Sequence, residues 1–318
     1  MKKLKLALRF IFSHKLKYLV MSVATVVFLI MLFPYNDVGD VVTSQVSQQT
    51  NNQVYVVFDR LKAGLTSLTV ENLTVETPAL PAISVQEVTV NPALGMLITQ
   101  KPEGTLLAKG LFRGDVELHV KPGKRTEAGV STHVIDLSAQ RLNLNELHKV
   151  AQLPVMLKGR LNLNTTGTAD PTFQEQPDFD INMKIDQFEL PASTVETMMG
   201  PLNLPELRLS QVELKGRLSA GRFNIERALV GKTGDELAGT IRGGINVQIM
   251  NQGRGVQPFI GAYQFEIDLD VKKSLKDKAA LFLSFLKAYE TPTQDGAQYK
   301  FRLNANSLQM PPSMSALR

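Results

Sequence analysis

The sequence predicts a mainly β protein in which an N-terminal transmembrane helix precedes an elongated, curved antiparallel β-sheet with one or two short helices. Three observations predict this fold. Residues 18–36 are uncharged and almost entirely apolar, apolar and polar residues alternate through most of the remaining chain, and glycines recur on the apolar side of that alternation. An apolar content of 43% over 318 residues is sufficient for a packed interior.

Residues 1–17 predict a cytoplasmic basic tail, because they contain six Lys and Arg residues and no acidic residue. The apolar segment 18–35 approaches the about 20 residues that cross a hydrocarbon core of about 30 Å. Asp37 and Asp40 follow it. Since positive charge stays on the cytoplasmic side, we expect a single-pass protein with an anchor at 18–35, a polar linker at 36–52 and an exported body at 53–318.

A cleaved signal peptide is the alternative to this anchor. The apolar region of a signal peptide usually has about 7–15 residues and ends in small residues at the cleavage site. The run in this chain is longer and ends in Phe33, Pro34 and Tyr35. The pattern therefore favours an uncleaved anchor.

The charge of the body excludes a nucleic-acid partner. Six of the 35 Lys and Arg residues lie in the tail, which leaves 29 basic against 30 acidic residues for the rest of the chain. Nucleic-acid binding requires a basic patch or stripe. The sequence pI of 9.2 therefore describes the tail and not a binding surface.

Alternation with a period of two predicts half-buried strands that share one apolar face. The stretch "LLAKGLFRGDVELHV" at 106–120 is interpreted as one such strand. We expect the apolar face to line a groove. The predicted lining residues are Leu106, Phe112, Leu118, Leu157, Leu161, Leu163, Phe179, Ile181, Met183, Leu214, Leu218, Ile241, Ile245, Val247, Phe265, Ile267, Leu269 and Phe301.

Glycines in the middle of strands predict that the sheet bends. The pentapeptide LKGRL occurs at 157–161 and again at 214–218. A glycine inside a strand is retained where the sheet bends sharply or another backbone comes close. Gly110, Gly159, Gly216 and Gly239 all fall on the apolar side of their strands, so we expect a curled sheet with an apolar concave side.

Two stretches have helical spacing. The first is a short helix at 145–151, with Asn145 as its N-cap. The second is an amphipathic helix at 274–290, in which the apolar residues with helical spacing come after Ser274. We expect it to cap the apolar face of the sheet, and the alternative is a helix at a membrane interface that places its lysines against acidic lipid. Its apolar positions include Leu275, Phe282, Phe285, Leu286 and Tyr289.

No motif predicts an enzyme, a cofactor or a metal site. The stretch "VGKTGDE" at 230–236 ends like a phosphate-binding loop, but Glu226 stands where that loop requires glycine, so we expect a hairpin turn. Glu266, Asp268 and Asp270 share one strand face and are interpreted as its solvated side. The four histidines have no ligand spacing.

Three stretches carry a family resemblance: "LFPYNDVGDVVTSQVSQQTNNQVYVVFDRLK", "LNLNELHKVAQLPVMLKGRLNLN" and "LNLPELRLSQVELKGRLSAGRFNIERALVGKTGDELAGTIRGGINVQI". They resemble the type II secretion system protein N family, which is similar to the AsmA-like group of membrane-tethered, β-rich periplasmic proteins. The resemblance implies a protein of the bacterial inner membrane, with its body in the periplasm.

The resemblance implies two alternative functions. The first is an accessory or scaffold component of a type II secretion system that contacts other subunits of that system. The second is a lipid-binding or lipid-transfer module that holds phospholipid in an apolar β groove. An apolar sheet face must be covered by a second sheet, by the same sheet folded over, by a partner or by acyl chains.

Overall fold

The computed structural model describes residues 54–317, with gaps at 65, 78–79, 94–101, 127–128, 198–199, 252–255 and 308–309, and also residues 43–48, 50, Met21 and Thr25. The predicted tail 1–17 and nearly all of the predicted anchor 18–35 lie outside the described residues. Within the described part of the chain, no helix has the length and apolar character that a membrane crossing requires. In the predicted linker, residues 43–48 are helical.

The described body consists mainly of strands, as the period-two alternation predicts. The strands are β1 (Tyr55–Val57), β2 (Arg60–Ala63), β3 (Leu68–Thr77), β4 (Leu80–Pro92), β5 (Gly104–Leu111), β6 (Gly114–Arg125), β7 (Ser131–Asn143), β8 (Lys158–Ala169), β9 (Asp178–Leu190), β10 (Ser193–Thr197), β11 (Gly200–Leu204), β12 (Leu207–Ser219), β13 (Arg222–Val230), β14 (Leu237–Asn251), β15 (Val256–Lys272), β16 (Glu290–Thr293), β17 (Gly296–Ala305) and β18 (Ser313–Ala316). The helices are α1 (Leu144–Ala151), α2 (Lys273–Lys278) and α3 (Ala280–Ser284), followed by a 3-10 turn at Lys287–Tyr289.

Sixteen of the eighteen described strands form one antiparallel sheet. Its order is β1-β3-β4-β5-β6-β7-β8-β9-β12-β13-β14-β15-β17-β16, with β2 also on β3 and β18 also on β17. Strands β10 and β11 form a separate hairpin between β9 and β12. Because consecutive strands pair directly, the loops lie alternately along the two edges of the sheet at which strands begin and end. Helix α1, the β10–β11 hairpin and α2–α3 all lie along the same one of these edges. We call this edge the helical edge.

Helix α1 begins one residue earlier than the sequence indicates. The predicted N-cap, Asn145, is wrong: the cap is Asn143, whose side-chain Oδ1 accepts a hydrogen bond of 2.9 Å from the backbone N–H of Asn145. An extended residue whose side chain accepts an N–H of the first turn is the usual N-cap geometry. Glu146 in the first turn and Lys149 in the last turn also suit the helix dipole.

The predicted single helix at 274–290 is divided into three pieces. The first piece begins at Lys273, one residue earlier than predicted, and its N-cap is Lys272, which makes no side-chain cap bond. Ala279 leaves helical geometry at φ −104° and ψ 20°, which separates α2 from α3. Leu275 in α2 and Phe282 in α3 nevertheless pack into the same core cluster.

That cluster lies where α2 and α3 meet the last long strands. Its buried members are Val271, Leu275, Ala279, Ala297, Tyr299 and Phe301. The ring of Tyr289 lies 5.7 Å from that of Phe301. The helical segment therefore covers the sheet surface formed by β15 and β17.

Candidate functional site: an apolar face across the whole sheet

Unbroken rows of paired residues form the apolar face. Each residue of a row is the direct cross-strand partner of the next, so all members of one row point to the same side. Row A is Val88, Ala108, Val116, Ala139, Leu163, Met183, Leu214, Ala228, Ile241, Ile267, Phe301 and Ala316. Row B is Val90, Leu106, Leu118, Leu137, Thr165, Ile181, Gly216, Ile225, Gly243, Phe265, Leu303 and Met314.

Two further rows flank these. Row C, farther from the helical edge, is Val120, Ile135, Gly167, Phe179, Leu218, Phe223, Ile245, Tyr263 and Ala305. Row D, nearer that edge, is Leu142, Leu161, Ile185, Val212, Val230, Gly239, Leu269 and Tyr299. Row A crosses twelve strands, which corresponds to about 50 Å at about 4.8 Å per strand.

Most of the predicted lining residues belong to these rows. Val247 lies just beyond row C, paired with Ile260. Two predicted residues lie elsewhere. Phe112 occupies the turn between β5 and β6 with a φ of +48°, and Leu157 precedes β8. The stretch 106–120 is therefore a hairpin and not one strand, because Phe112 and Arg113 both adopt left-handed backbone and reverse the chain.

The apolar face is only partly covered. Apart from Gly216, no residue of rows B and C is buried: nearly all are half-buried, and Val90 and Met314 are 37% and 38% exposed. Tyr299 and Phe301, beneath the helical segment, are 0% and 5% exposed. Rows A and D are thus closed at the C-terminal end of the face, whereas rows B and C remain accessible along its length.

A line of irregular residues crosses strands β3 to β9 on the side of row A that faces the helical edge. Asn72, Gly110, Arg141, Gly159 and Gln187 all have left-handed backbone, on β3, β5, β7, β8 and β9 respectively. The ladders shift register at 109/111, at 139/142 and at 158/160. We call these five residues the bulge line.

The bulge line keeps the apolar residues on one side. On β7, Ala139 and Leu142 are three residues apart, yet they pair with Leu163 and Leu161, which are two apart. One inserted residue therefore restores the face that strict alternation would have lost. Buried side chains concentrate beside this line: Val85, Ala108, Ala139, Leu142, Ile185 and Leu209.

The four glycines predicted to bend the sheet occupy two kinds of position. Gly110 and Gly159 belong to the bulge line, with φ of +76° and +140°. Gly216 and Gly239 are crowded from the next strand: a Cβ on Gly216 would lie 2.6 Å from the carbonyl oxygen of Asn224, and one on Gly239 would lie 2.4 Å from that of Asp268. Hence the two LKGRL copies use their glycines for different reasons.

The opposite face of the sheet carries cross-strand ion pairs. Lys109 lies 2.8 Å from Glu87, and this hydrogen bond and the charge of the ammonium group lower the pKa of the Glu87 carboxyl. The predicted carboxylate face also carries ion pairs: Glu266 lies 2.7 Å from Arg302, and Asp268 lies 3.2 Å from a lysine on β17. Such exposed pairs keep a face soluble and add little stability.

One buried carboxylate organises the loop between β8 and β9. Asp170 is 2% exposed. It accepts hydrogen bonds from the hydroxyl and N–H of Thr172 and from the N–H groups of Gln174 and Glu175, at 2.7 to 3.2 Å. Burial alone would raise the pKa of Asp170, but these donors outweigh it and hold the pKa below its ordinary value. The carboxylate is therefore saturated with donors.

From this loop, Gln176 reaches across to β14. Its side-chain amide exchanges two hydrogen bonds with the backbone of Ile249, at 2.8 and 2.9 Å. Strand β14 is three positions away from β9 in the sheet. The loop therefore crosses the ends of β12 and β13 and fixes the edge of the sheet opposite the helices.

The predicted turn at 230–236 joins β13 to β14. Asp235 accepts from the backbone N–H of Lys232 at 2.8 Å and from the Ser210 hydroxyl at 2.6 Å. These bonds tie the turn to β12.

No protein-family model, no curated protein and no solved structure matches the chain. The family resemblance in the sequence therefore stays a prediction.

Proposed function

We propose that the chain is a lipid-binding protein whose apolar sheet face holds acyl chains in an open groove. The observation that carries this proposal is the half-buried state of rows B and C over the strands from β5 to β15. In a folded-over sandwich, side chains from two inner faces interdigitate and become buried. Partly exposed rows therefore favour a groove.

The dimensions also favour acyl chains. A contiguous apolar patch larger than a few hundred Å² is rare on a soluble surface. Row A extends about 50 Å, whereas one leaflet of a bilayer is about 15 Å of hydrocarbon, half of the core thickness. The face can accept several lipid tails side by side, and burying them removes its apolar surface from water.

The proposal includes the predicted location. We propose that residues 18–35 anchor the chain in the inner membrane of a bacterium, with the N-terminus in the cytoplasm and the body in the periplasm. The six basic residues before the anchor and the acidic pair after it support this orientation.

A scaffold role in a type II secretion system is the second candidate. The β10–β11 hairpin supports it, since its strands pair only with each other among the described residues. A strand pair with open edges can accept a strand from a partner subunit. In that case the apolar face would be covered by protein and not by lipid.

Photo-crosslinking in the producing cells distinguishes the two candidates. A benzoylphenylalanine at Leu163 points into row A, and one at the neighbouring Asn162 points to the opposite face as a matched control. The proposal predicts an adduct of phospholipid mass at position 163 and none at position 162. A protein adduct at 163 would instead support the scaffold, and loss of protein secretion on deletion of the gene would strengthen it.

A further inference from the structure

The helical segment 273–289 occupies the same kind of surface that is open elsewhere. Leu275 and Ala279 are 6% and 8% exposed, and they pack with Val271 and Ala297 of β15 and β17, which are 3% and 1% exposed. Phe282, Leu283, Leu286 and Tyr289 join the same cluster. Apolar helix side chains therefore lie where rows A and D cross the last two long strands.

We propose that this segment is a plug that takes the place of acyl chains at the C-terminal end of the face. On β15 and β17 the lipid site is then confined to rows B and C, and a lipid can reach rows A and D of these strands only by displacing the plug. This inference rests on the proposed function and adds the boundary of the site.

Polar contacts hold the plug at three points. The Lys276 ammonium donates to Glu290 of β16 at 2.5 Å, and Lys278 donates to Glu236 of the β13–β14 turn at 3.0 Å. The Tyr289 hydroxyl donates to the carbonyl oxygen of Met314 at 3.0 Å. These partners lie on β16, on the turn before β14 and on β18, so the plug is fixed to the sheet on several sides.

The absence of tryptophan from the sequence allows a direct test with single probes. Phe179→Trp places a probe in the open row C, and Phe301→Trp places one beneath the plug. Asn182→Trp, on the polar face of β9, is the control. The full chain is reconstituted in vesicles of phosphatidylcholine brominated on its acyl chains, and the fluorescence is compared with that in vesicles of the unbrominated lipid.

We expect the probe at 179 to lose most of its fluorescence, and the probes at 301 and 182 to keep theirs. Adding Phe282→Ser to the Phe301→Trp variant should then expose position 301 to quenching. Should circular dichroism show that Phe282→Ser disrupts the sheet, Lys278→Glu replaces it, because it places a second carboxylate opposite Glu236 without changing the core.

Each outcome has one meaning. Equal quenching at 179 and 301 in the otherwise unchanged chain overturns the plug and leaves lipid binding intact. Persistent protection of position 301 in a folded plug variant also overturns it. No quenching at 179 overturns the proposed function, together with the site boundary that depends on it.

Discussion

Substitutions of Gln187 test whether the bulge line is a required feature of the fold. Gln187 has a φ of +54°, and it is the extra residue of β9 opposite Gly159. Left-handed backbone costs a residue with a Cβ about 1–2 kcal/mol, and a β-branched side chain more. Gln187→Val should therefore lower the free energy of unfolding by roughly 1–3 kcal/mol, although valine favours ordinary strands.

Glycine at the same position gives the opposite expectation. It adopts left-handed backbone without steric cost, and it loses about 0.5–1 kcal/mol through its greater freedom in the unfolded chain. Gln187→Gly should therefore be neutral or stabilising by up to about 1 kcal/mol. Asn182→Val is the matched control, since Asn182 is exposed on the same strand and regularly paired on both sides. It should change stability by less than about 0.5 kcal/mol.

The assay is urea unfolding of the full chain, followed by far-ultraviolet circular dichroism. We expect the free energy of unfolding to decrease in the order glycine, glutamine, valine at position 187, and the control variant to match the unsubstituted chain. Equal stability of Gln187→Val and Asn182→Val would refute it, because valine would then be tolerated in a regular strand. A large loss for Gln187→Gly would refute it as well.

Three further predictions follow from individual positions. Asp170→Ala should lower stability by about 2–4 kcal/mol at neutral pH, because it leaves buried donors without an acceptor. The folded pKa of Asp170 lies below its ordinary value, so in pH-dependent urea unfolding the difference from the unsubstituted chain should persist above pH 3.8 and decrease as pH falls through the folded pKa. Thr165→Val should raise the unfolding midpoint by an amount equivalent to about 1 kcal/mol, since the Thr165 Oγ1 is buried and has no hydrogen-bond partner among the described residues; a lower midpoint would contradict this. Gly216→Ala should cost roughly 1–3 kcal/mol in the same assay, because its Cβ would collide with the backbone of Asn224, and an unchanged midpoint would show that the two strands can separate without loss.

Alternation predicted most of the strands and the apolar rows, because a half-buried strand leaves a direct record in the sequence. It did not predict the hairpin at Phe112 and Arg113. A two-residue turn with both residues left-handed usually contains Asn or Gly, and this turn contains neither. Apolar and polar residues also alternate through the turn without a break, so the sequence resembles one continuous strand.

A signal for the bulge line was present in the sequence. Apolar residues switch from one parity to the other across a gap of three in several neighbouring strands, as at Val85 and Val88 or at Ile185 and Phe188. One such gap resembles an ordinary strand end. Only the pairing of strands shows that the gaps align, and pairing depends on tertiary contacts. The division of the helix at Ala279 has no comparable signal, because alanine is a good helix former.

The bulge line and the plug together favour the interpretation that the apolar face binds a partner molecule over the interpretation that it is an incompletely packed core. Holding Arg141 and Gln187 in left-handed backbone costs about 1–2 kcal/mol each, and the result is an apolar face that continues across neighbouring strands. If burial in this chain were the only benefit, covering the rows with a helical segment would be sufficient, as the segment 273–289 does over Tyr299 and Phe301. Rows B and C instead keep their alignment while remaining half-buried, so the aligned apolar surface is available to an occupant from outside the described chain.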